Sequence, residues 1–199
     1  MVCPMDKACL MNQLIDQIKN CRKCPLWKTR TNVVIGEGNL DTYVMFIGEA
    51  PGANEDREGR PFCGAAGRVL DQMLEHINLK RSDVYITNVL KCRPPNNRDP
   101  LPEEIKACTP YLEKQLEIIR PKIICTLGNY ATTFIMSKFG LKPANISRVR
   151  GRIFRINTLK MRFILLPTYH PATALYKPPL REVLREDFEL LKKIIERFT

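Results

Sequence analysis

The sequence predicts an α/β fold, with a parallel sheet that has helices packed on both faces. Residues 43–47 form a wholly apolar run, and residues 84–89 and 122–127 have a similar strand-like character. Such runs are typical of strands buried on both faces, and here they alternate with helical patterns. The length of 199 residues fits one domain with a full-sized core. We therefore expect a single domain over residues 1–199.

Helical repeats of apolar residues flank and separate these strands. Residues 105–119 have a helical pattern, although Pro110 should break or kink that helix. Residues 152–156 and 162–167 predict a hairpin. Further helices are predicted around residues 11–18, 69–77, 128–138 and 184–198.

Positive charge dominates the composition. Lys and Arg number 32 against 21 Asp and Glu, which gives a formal net charge of +11. Such a chain attracts polyanions, and nucleic acid is the first candidate. No stretch approaches the ~18 apolar residues of a membrane span. The first residues lack the basic-then-apolar pattern of a signal peptide, so we expect a cytoplasmic protein that binds no membrane.

The spacing of the cysteines indicates a metal or cluster site. Cys21 and Cys24 form a CxxC pair, Cys92 follows a predicted strand, and Cys108 lies on the next helix. Four converging thiolates suit an iron–sulfur cluster or zinc, although a zinc ribbon usually has two CxxC pairs. Four buried, unreactive cysteines are the alternative. Cys3 and Cys9 are further candidate ligands.

A first candidate loop, residues 48–64, directly follows a predicted buried strand. Ligand sites in open α/β sheets form beyond the carboxyl ends of strands. Glu49 and Glu55 could take protons or orient water there. Phe62 lies between a proline and a glycine-rich turn, where an aromatic ring can stack on a planar ligand. The alternative is that the glutamates are solvated and that Phe62 belongs to the core.

A second candidate loop, residues 167–179, also follows an apolar strand and contains one of only two histidines. His170 is at the strand end, where an imidazole can donate to a developing anion. A lone histidine is more often structural than catalytic. The predicted position opposite the first loop favours the catalytic interpretation.

Three segments together resemble the family 4 uracil-DNA glycosylases. They are GEAPGANEDREGRPFCGAAGRVL, ITNVLKCRPPNNRDP and HPAT, and the match extends from Cys21 through the final helix. The resemblance implies a three-layer sandwich with a central four-stranded parallel sheet and a site at its carboxyl edge. It also implies that Cys21, Cys24, Cys92 and Cys108 hold a 4Fe–4S cluster. Because Cys92 is only four residues from Asn88, that cluster would have a structural role and anchor the loop that carries Asn88.

The same resemblance implies roles for the side chains of the site. Phe62 would stack on uracil, and Asn88 would read its Watson–Crick edge. Glu55 would line the pocket near the 5-position of the base, and His170 would stabilise the leaving oxygen. The enzyme would flip the nucleotide out of the duplex before cutting its bond to the sugar. Water would then complete the hydrolysis and leave an abasic site.

The residue type at position 50, an alanine, differs from the one found in much of the wider superfamily. The best-known branch has an Asp at this place that activates water, whereas family 4 usually lacks a carboxylate there. Glu49 and Ala50 lie in the motif on the water side of the site. Glu49 and Glu55 are both candidates for activating water, and a reaction that needs little activation is the alternative.

Basic residues around these segments are candidates for phosphate contacts, which position DNA and make binding salt-dependent. Leu175 or Tyr176 could wedge into the base stack to hold the flipped nucleotide out. The basic candidates are Arg148, Arg150, Arg152 and Arg155, then Lys91, Arg93 and Arg98 near Asn88, and Lys177 and Arg181 after His170.

The expected partner is uracil-containing DNA, single- or double-stranded, bound by a monomer, and a sliding clamp is a further candidate partner. A non-catalytic iron–sulfur or zinc module that binds nucleic acid would share the cysteines and the charge. It would not explain why Phe62, Asn88 and His170 are placed around one sheet edge. A glycosylase that removes hypoxanthine or another lesion also stays open.

Overall fold

The structure, a computed structural model, describes residues 6–198. Cys3 and the first part of the N-terminal segment judged for a signal peptide lie outside these residues. The helices are α1 (Lys7–Lys19), α2 (Ala53–Glu58), α3 (Ala65–His76), α4 (Pro102–Ile119), α5 (Asn129–Lys138), α6 (Ile146–Val149), α7 (Thr173–Tyr176) and α8 (Leu180–Ile195). The strands are β1 (Glu37–Gly38), β2 (Val44–Gly48), β3 (Tyr85–Asn88), β4 (Ile123–Leu127), β5 (Phe154–Asn157) and β6 (Arg162–Thr168).

One mixed sheet forms the centre of the described chain, with the strand order β1-β3-β2-β4-β6-β5. The strands β3, β2, β4 and β6 are parallel, which confirms the predicted four-stranded parallel centre. The expected total of four strands is too low, because β1 and β5 pair antiparallel at the two edges. The β5–β6 pair is the predicted hairpin. The β1 strand has only two residues, too few to show any periodic pattern.

The parallel strands end together at one edge of the sheet. Gly48, the last residue of β2, pairs with Asn88, the last residue of β3. Leu127 at the end of β4 likewise pairs with Thr168 at the end of β6. Every residue of β2, β3 and β4 is buried, which explains why apolar runs rather than alternation marked these strands.

Helices cover both faces of the sheet, as the three-layer prediction required. On one face, α1, α4 and α5 bury residues such as Leu14, Leu112 and Ile135 against the sheet. On the other face, α3 and α8 do the same, and the rings of Phe46 and Phe188 stack 5.7 Å apart. Each fully buried side chain of this size contributes about 1.5–3 kcal/mol. Within residues 6–198, no helix has the length and apolar character needed to cross a bilayer.

Pro110 lies inside α4 and does not break it, because the helix runs without interruption from Pro102 to Ile119. A proline removes one backbone hydrogen bond from a helix and strains the preceding turn. Here Cys108 and Leu112 are buried on both sides of the proline. Tertiary packing of this face therefore outweighs the local penalty, so the predicted break is wrong, whereas the alternative of a kink stays a prediction.

Candidate active site

The predicted site residues meet at the carboxyl edge of the sheet. The two candidate loops leave this edge after Gly48 and Thr168, and Asn88 ends the strand between β1 and β2. A cavity of about 360 Å³ opens here, in the position expected for a ligand site in an open α/β sheet. It is lined by all six predicted catalytic and base-contacting residues, Glu49, Ala50, Glu55, Phe62, Asn88 and His170.

Sequence reasoning missed part of the cavity wall. Pro94 and Asn97 line the cavity, and so does Arg98, which was predicted only as a phosphate contact. Arg98 pairs with Glu104 of α4 at 2.6 Å. These residues follow Cys92, a predicted cluster ligand, in the chain. Their contribution depends on how that segment folds back over the sheet edge, which no local pattern reveals.

Phe62 presents its ring to the cavity from an unusual backbone conformation. Its φ is 49°, in the left-handed region that non-glycine residues rarely adopt. The ring stacks on His170, with centroids 5.4 Å apart and planes 29° apart. Gly48 makes this arrangement possible, because a Cβ there would lie 2.8 Å from Phe62 Cζ and would overlap Asn88 Oδ1. The end of β2, the Phe62 ring and the Asn88 amide can therefore pack closely because Gly48 has no side chain.

Asn88 supplies an amide that the protein leaves available. The residue is 2% exposed, yet its side chain makes no hydrogen bond with any residue from 6 to 198. Its Oδ1 and Nδ2 therefore remain free for a ligand in the cavity. Buried amides normally find partners, since leaving them unpaired is costly. An unpaired amide in a ligand-sized cavity indicates a group that reads hydrogen-bonding edges.

Glu55 is held by the backbone around it. Its Oε2 accepts from the Gly52 N–H at 3.1 Å, and its Oε1 accepts from Cys63 at 3.1 Å and Gly64 at 3.0 Å. Three such bonds occupy most of the lone pairs of a carboxylate. The geometry therefore ties α2 to the turn that carries Phe62. It leaves little of the carboxylate to activate water.

Glu49 contrasts with Glu55, because its carboxyl group accepts no hydrogen bond from the described residues. Burial raises the pKa of Glu49, and the nearby charge of Asp99 raises it further. A carboxylate that is half-buried and unpaired has the properties of a general base. Of the two candidate glutamates, Glu49 is the one whose oxygens are available.

His170 is set up as a neutral hydrogen-bond donor. Burial lowers the pKa of His170 to about 4, although the charge of Glu55 opposes that shift. Its Nδ1 accepts from the backbone N–H of Ala172 at 3.1 Å, so in the neutral ring the proton is on Nε2. Gly128, with a φ of +93°, lets the chain after β4 pass the imidazole closely. Nε2–H is therefore the group that can face a developing anion.

The four predicted cluster ligands also come together. Cys21, Cys24, Cys92 and Cys108 line a single cavity between the segment after α1, the segment after β3 and α4. They are not disulfide-bonded. Among residues 6–198, no group of three or more His, Cys, Asp or Glu side chains is close enough to hold one metal ion. The four cysteines therefore line one cavity without meeting the geometry of a single-ion site.

The surroundings of these sulfurs combine burial with hydrogen-bond donors. Burial raises the pKa of the thiols of Cys24, Cys92 and Cys108. Without a compensating charge they therefore stay protonated, whereas a bound metal deprotonates a thiol. Arg30 Nη1 donates to Cys92 Sγ at 3.2 Å, and the Lys91 backbone N–H donates to Cys108 Sγ at 3.3 Å. Such donors favour the thiolate that a metal or cluster needs.

The predicted phosphate contacts differ in how available they are. Arg152 and Lys177 are exposed, and the two predicted wedge candidates, Leu175 and Tyr176, are 44% and 82% exposed. Arg150 instead pairs with Glu186 at 3.0 Å and with the buried Asp187 at 3.4 Å.

For Lys91 the prediction of a phosphate contact is wrong. The residue is 1% exposed, and its ammonium donates to Thr87 Oγ1 at 2.6 Å, Asn88 O at 2.7 Å and Gln115 Oε1 at 2.7 Å. The side chain folds inward because these three acceptors surround it, and it links the end of β3 to α4.

The comparisons with known proteins agree with this architecture. The family model of the uracil DNA glycosylase superfamily matches residues 35–198. The chain is 50% identical to a type-4 uracil-DNA glycosylase of Saccharolobus solfataricus, over 93% of this chain and 86% of that protein. It is 49% identical to one of Archaeoglobus fulgidus (92% of each chain) and 45% identical to one of Thermotoga maritima (94% and 96%). The chain therefore belongs to the uracil-DNA glycosylase superfamily, in its type-4 branch.

Proposed function

We propose that this protein is a uracil-DNA glycosylase that removes uracil from DNA and initiates base excision repair. The observation that carries the proposal is the cavity at the sheet edge. It places the free amide of Asn88, the ring of Phe62 and the neutral imidazole of His170 around one space. The type-4 relatives are named for the same activity.

Recognition of uracil would depend on Asn88. A side-chain amide offers one acceptor oxygen and a donor nitrogen. Uracil presents a ring imide donor beside a carbonyl acceptor, so Asn88 can accept from one and donate to the other. Cytosine reverses both positions, and the buried amide would then face it donor to donor. Phe62 would stack on the base once it is flipped out of the duplex.

The chemistry would be a dissociative cleavage of the N-glycosidic bond. The bonding electrons leave with uracil, which becomes an anion, and the sugar becomes a cation near the DNA phosphates. His170 would donate from Nε2 to the uracil oxygen on which this charge develops. Glu49 would accept a proton from the water that attacks the sugar. Ala50, beside it, offers no carboxylate for this step.

Glu55 would contribute by holding the pocket rather than by transferring protons. Its carboxylate keeps the backbone of the Cys63–Gly64 turn in place and so supports Phe62 from one side. Glu55 would then lie near the base, in the role that the family resemblance implied. It also leaves water activation to Glu49.

The four cysteines would hold a 4Fe–4S cluster. Four thiols that surround one cavity, two of them with N–H donors on sulfur, fit the donor set of such a cluster. When bound, the cluster would supply structural cross-linking between α4 and the segment after β3. Since Lys91 and Cys92 follow Asn88 closely, this cross-link would steady the strand end that reads uracil.

DNA would bind over the cavity through exposed basic residues. The exposed Arg152 and Lys177 would be among the phosphate contacts, and Leu175 or Tyr176 on α7, after His170, would be the wedge. Arg150 would act mainly through its ion pairs with α8. Binding of single- as well as double-stranded DNA, a monomeric state, a sliding-clamp partner, a cytoplasmic location and a single domain over residues 1–199 stay predictions.

A glycosylase assay tests this function directly. The protein is incubated with oligonucleotides that contain uracil, hypoxanthine, thymine or cytosine, each in single- and double-stranded form, and abasic sites are cleaved and counted. We expect excision of uracil above all other bases. DNA binding without abasic sites would support a non-catalytic module, and stronger excision of hypoxanthine would change the assigned base.

A further inference from the structure

Arg81 makes an unusual set of contacts that none of the proposed roles uses. It lies in a short 3₁₀ turn, Arg81–Asp83, just before β3. Its guanidinium donates to the carbonyls of Pro61 at 2.6 Å and Phe62 at 3.1 Å. The same group pairs with Glu37 at 2.6 Å and with Asp71 at 2.9 Å. The planar fork of an arginine is thus anchored by two carboxylates and directed at two consecutive carbonyls.

The backbone that Arg81 binds is strained. Phe62 has a positive φ of 49°, which a non-glycine residue maintains only when its surroundings impose it. Glu55 holds the two N–H groups that follow, those of Cys63 and Gly64. On the carbonyl side, Gly67 leaves room for the Phe62 oxygen, which any Cβ at that position would overlap. Arg81 is the group that binds this oxygen.

We propose that Arg81 is a positioning residue that holds the Phe62 ring in the orientation for stacking on the flipped base. The inference rests on the proposed function, in which Phe62 is the stacking platform. Glu55 and Arg81 hold the turn from its N–H side and its carbonyl side respectively. Without Arg81, the strained φ loses its carbonyl partner, and the ring can rotate away from His170 and from the space a base would fill.

A double-mutant cycle between Arg81 and Phe62 separates positioning from general stability. Phe62→Ala should slow single-turnover excision of uracil by about 10- to 100-fold, the range for loss of one base–aromatic stack. Arg81→Met should slow it by about tenfold when Phe62 is present. In the Phe62→Ala background, Arg81→Met should change the rate by less than about twofold, because the ring it positions is gone.

Arg60→Met is the matched control. Arg60 also pairs with Glu37, at 2.8 Å, but makes no hydrogen bond to the carbonyls of Pro61 or Phe62. Its rate should stay within about twofold of wild type, since exposed ion pairs contribute little. Arg81→Lys retains the charge but not the planar fork that binds both carbonyls, and should still slow excision at least threefold. If Arg81→Met does not fold, the cycle is measured with Arg81→Lys.

The outcomes are distinguishable from failure of the proposed function, which would appear as no uracil excision by the wild-type protein. With an active wild type, equal slowing by Arg81→Met in both backgrounds would overturn the inference. A rate for Arg60→Met as low as that for Arg81→Met would also overturn the inference. Both arginines pair with Glu37, so the slowing would then come from the loss of a partner of Glu37. Thermal unfolding of every variant confirms that rates are compared between folded proteins.

Discussion

At the scale of single residues, the site depends on which polar groups are left unpaired. Asn88 and Glu49 have no side-chain hydrogen-bond partner among the described residues, whereas Glu55 has three backbone donors. Two glutamates in one cavity therefore differ in what they can do: Glu49 has free oxygens, whereas those of Glu55 are occupied. Availability of lone pairs, rather than proximity to the cavity, decides which carboxylate can do chemistry.

Asn88→Asp tests the reading of the base. The change keeps the shape of the side chain but replaces the donor nitrogen with a second acceptor, so uracil's carbonyl loses its partner. Uracil excision should fall by orders of magnitude. A buried pocket that hydrogen-bonds its ligand rejects one that leaves polar groups unpaired by a factor of about 10⁴–10⁵. Single-turnover rates measure the effect, and affinity for undamaged duplex should not change.

The control for this change is Asn157→Asp on the exposed edge strand β5. Its uracil rate should match wild type. A rate for Asn88→Asp within about threefold of wild type, ~0.65 kcal/mol on the transition-state scale, would contradict the assignment of the pocket. Cytosine excision by Asn88→Asp should be at most a trace and should increase as the pH falls, because only a protonated Asp can donate to cytosine.

His170→Ala tests the anion-stabilising donor. Its loss should lower the single-turnover rate by about 10²–10³-fold, the usual effect of removing one such donor. Duplex affinity should change little, because the exposed basic residues lie elsewhere. The exposed His76, which pairs with Glu189 at 2.7 Å, provides the matched His76→Ala control with a wild-type rate. An unchanged rate for His170→Ala would remove this residue from the mechanism.

The pH dependence of the rate distinguishes Glu49 from His170. The pKa of His170 is about 4, so its ring stays neutral across the neutral range and causes no change there. The pKa of Glu49 is raised, so this carboxylate takes up a proton at a higher pH than an ordinary glutamate. The excision rate should therefore fall as the pH decreases through the range in which Glu49 becomes protonated. In Glu49→Gln this acid limb should be absent, and a limb that persists would assign it to another group.

At the scale of elements, the cysteine cavity links α1, β3 and α4. The proposed uracil reader Asn88, the buried Lys91 and the proposed cluster ligand Cys92 lie close together along one segment. Lys91 binds the Asn88 carbonyl, and its own backbone N–H binds Cys108 Sγ. We therefore expect a disturbance at the cysteines to reach Asn88, the proposed reader, through these two contacts of Lys91.

Cys92→Ser tests this link. The wild-type protein should be brown, absorb near ~400 nm and contain about four irons, as expected for four thiolates around a cubane cluster. Cys92→Ser should lose iron and colour and have a lower thermal unfolding midpoint. Cys125→Ser, at a buried thiol outside the cavity, is the control that should retain its iron. Stoichiometric zinc without iron after anaerobic purification would contradict the cluster.

At the scale of the whole molecule, a net charge of +11 indicates that binding to DNA is largely electrostatic. Affinity for undamaged duplex should fall steeply with salt, with a slope of about −0.9 per phosphate contacted. Arg152→Gln should make this slope less steep by about one such contact. A slope equal to that of wild type would place Arg152 away from the DNA.

Arg150→Gln provides the contrast, because its guanidinium is already paired with Glu186 and Asp187. We expect a salt slope close to that of wild type and a lower unfolding midpoint, since the buried Asp187 loses its cation. Salt titrations and thermal unfolding of the two variants together separate a DNA contact from a structural ion pair.

The sequence by itself predicted the α/β class, and the resemblance of its motifs to a known family predicted the four parallel strands, the family and six of the residues that line the cavity. These features can be recognised from short stretches of sequence, because strands buried on both faces must be apolar and because short motifs follow strand ends. The tertiary structure alone decided that Lys91 is buried, that Pro110 leaves α4 unbroken, that Glu55 is bound by backbone N–H groups, and that Arg81 reaches Phe62. Each depends on groups far apart in sequence, so hydrogen bonding and burial at those positions exist only once the chain has folded.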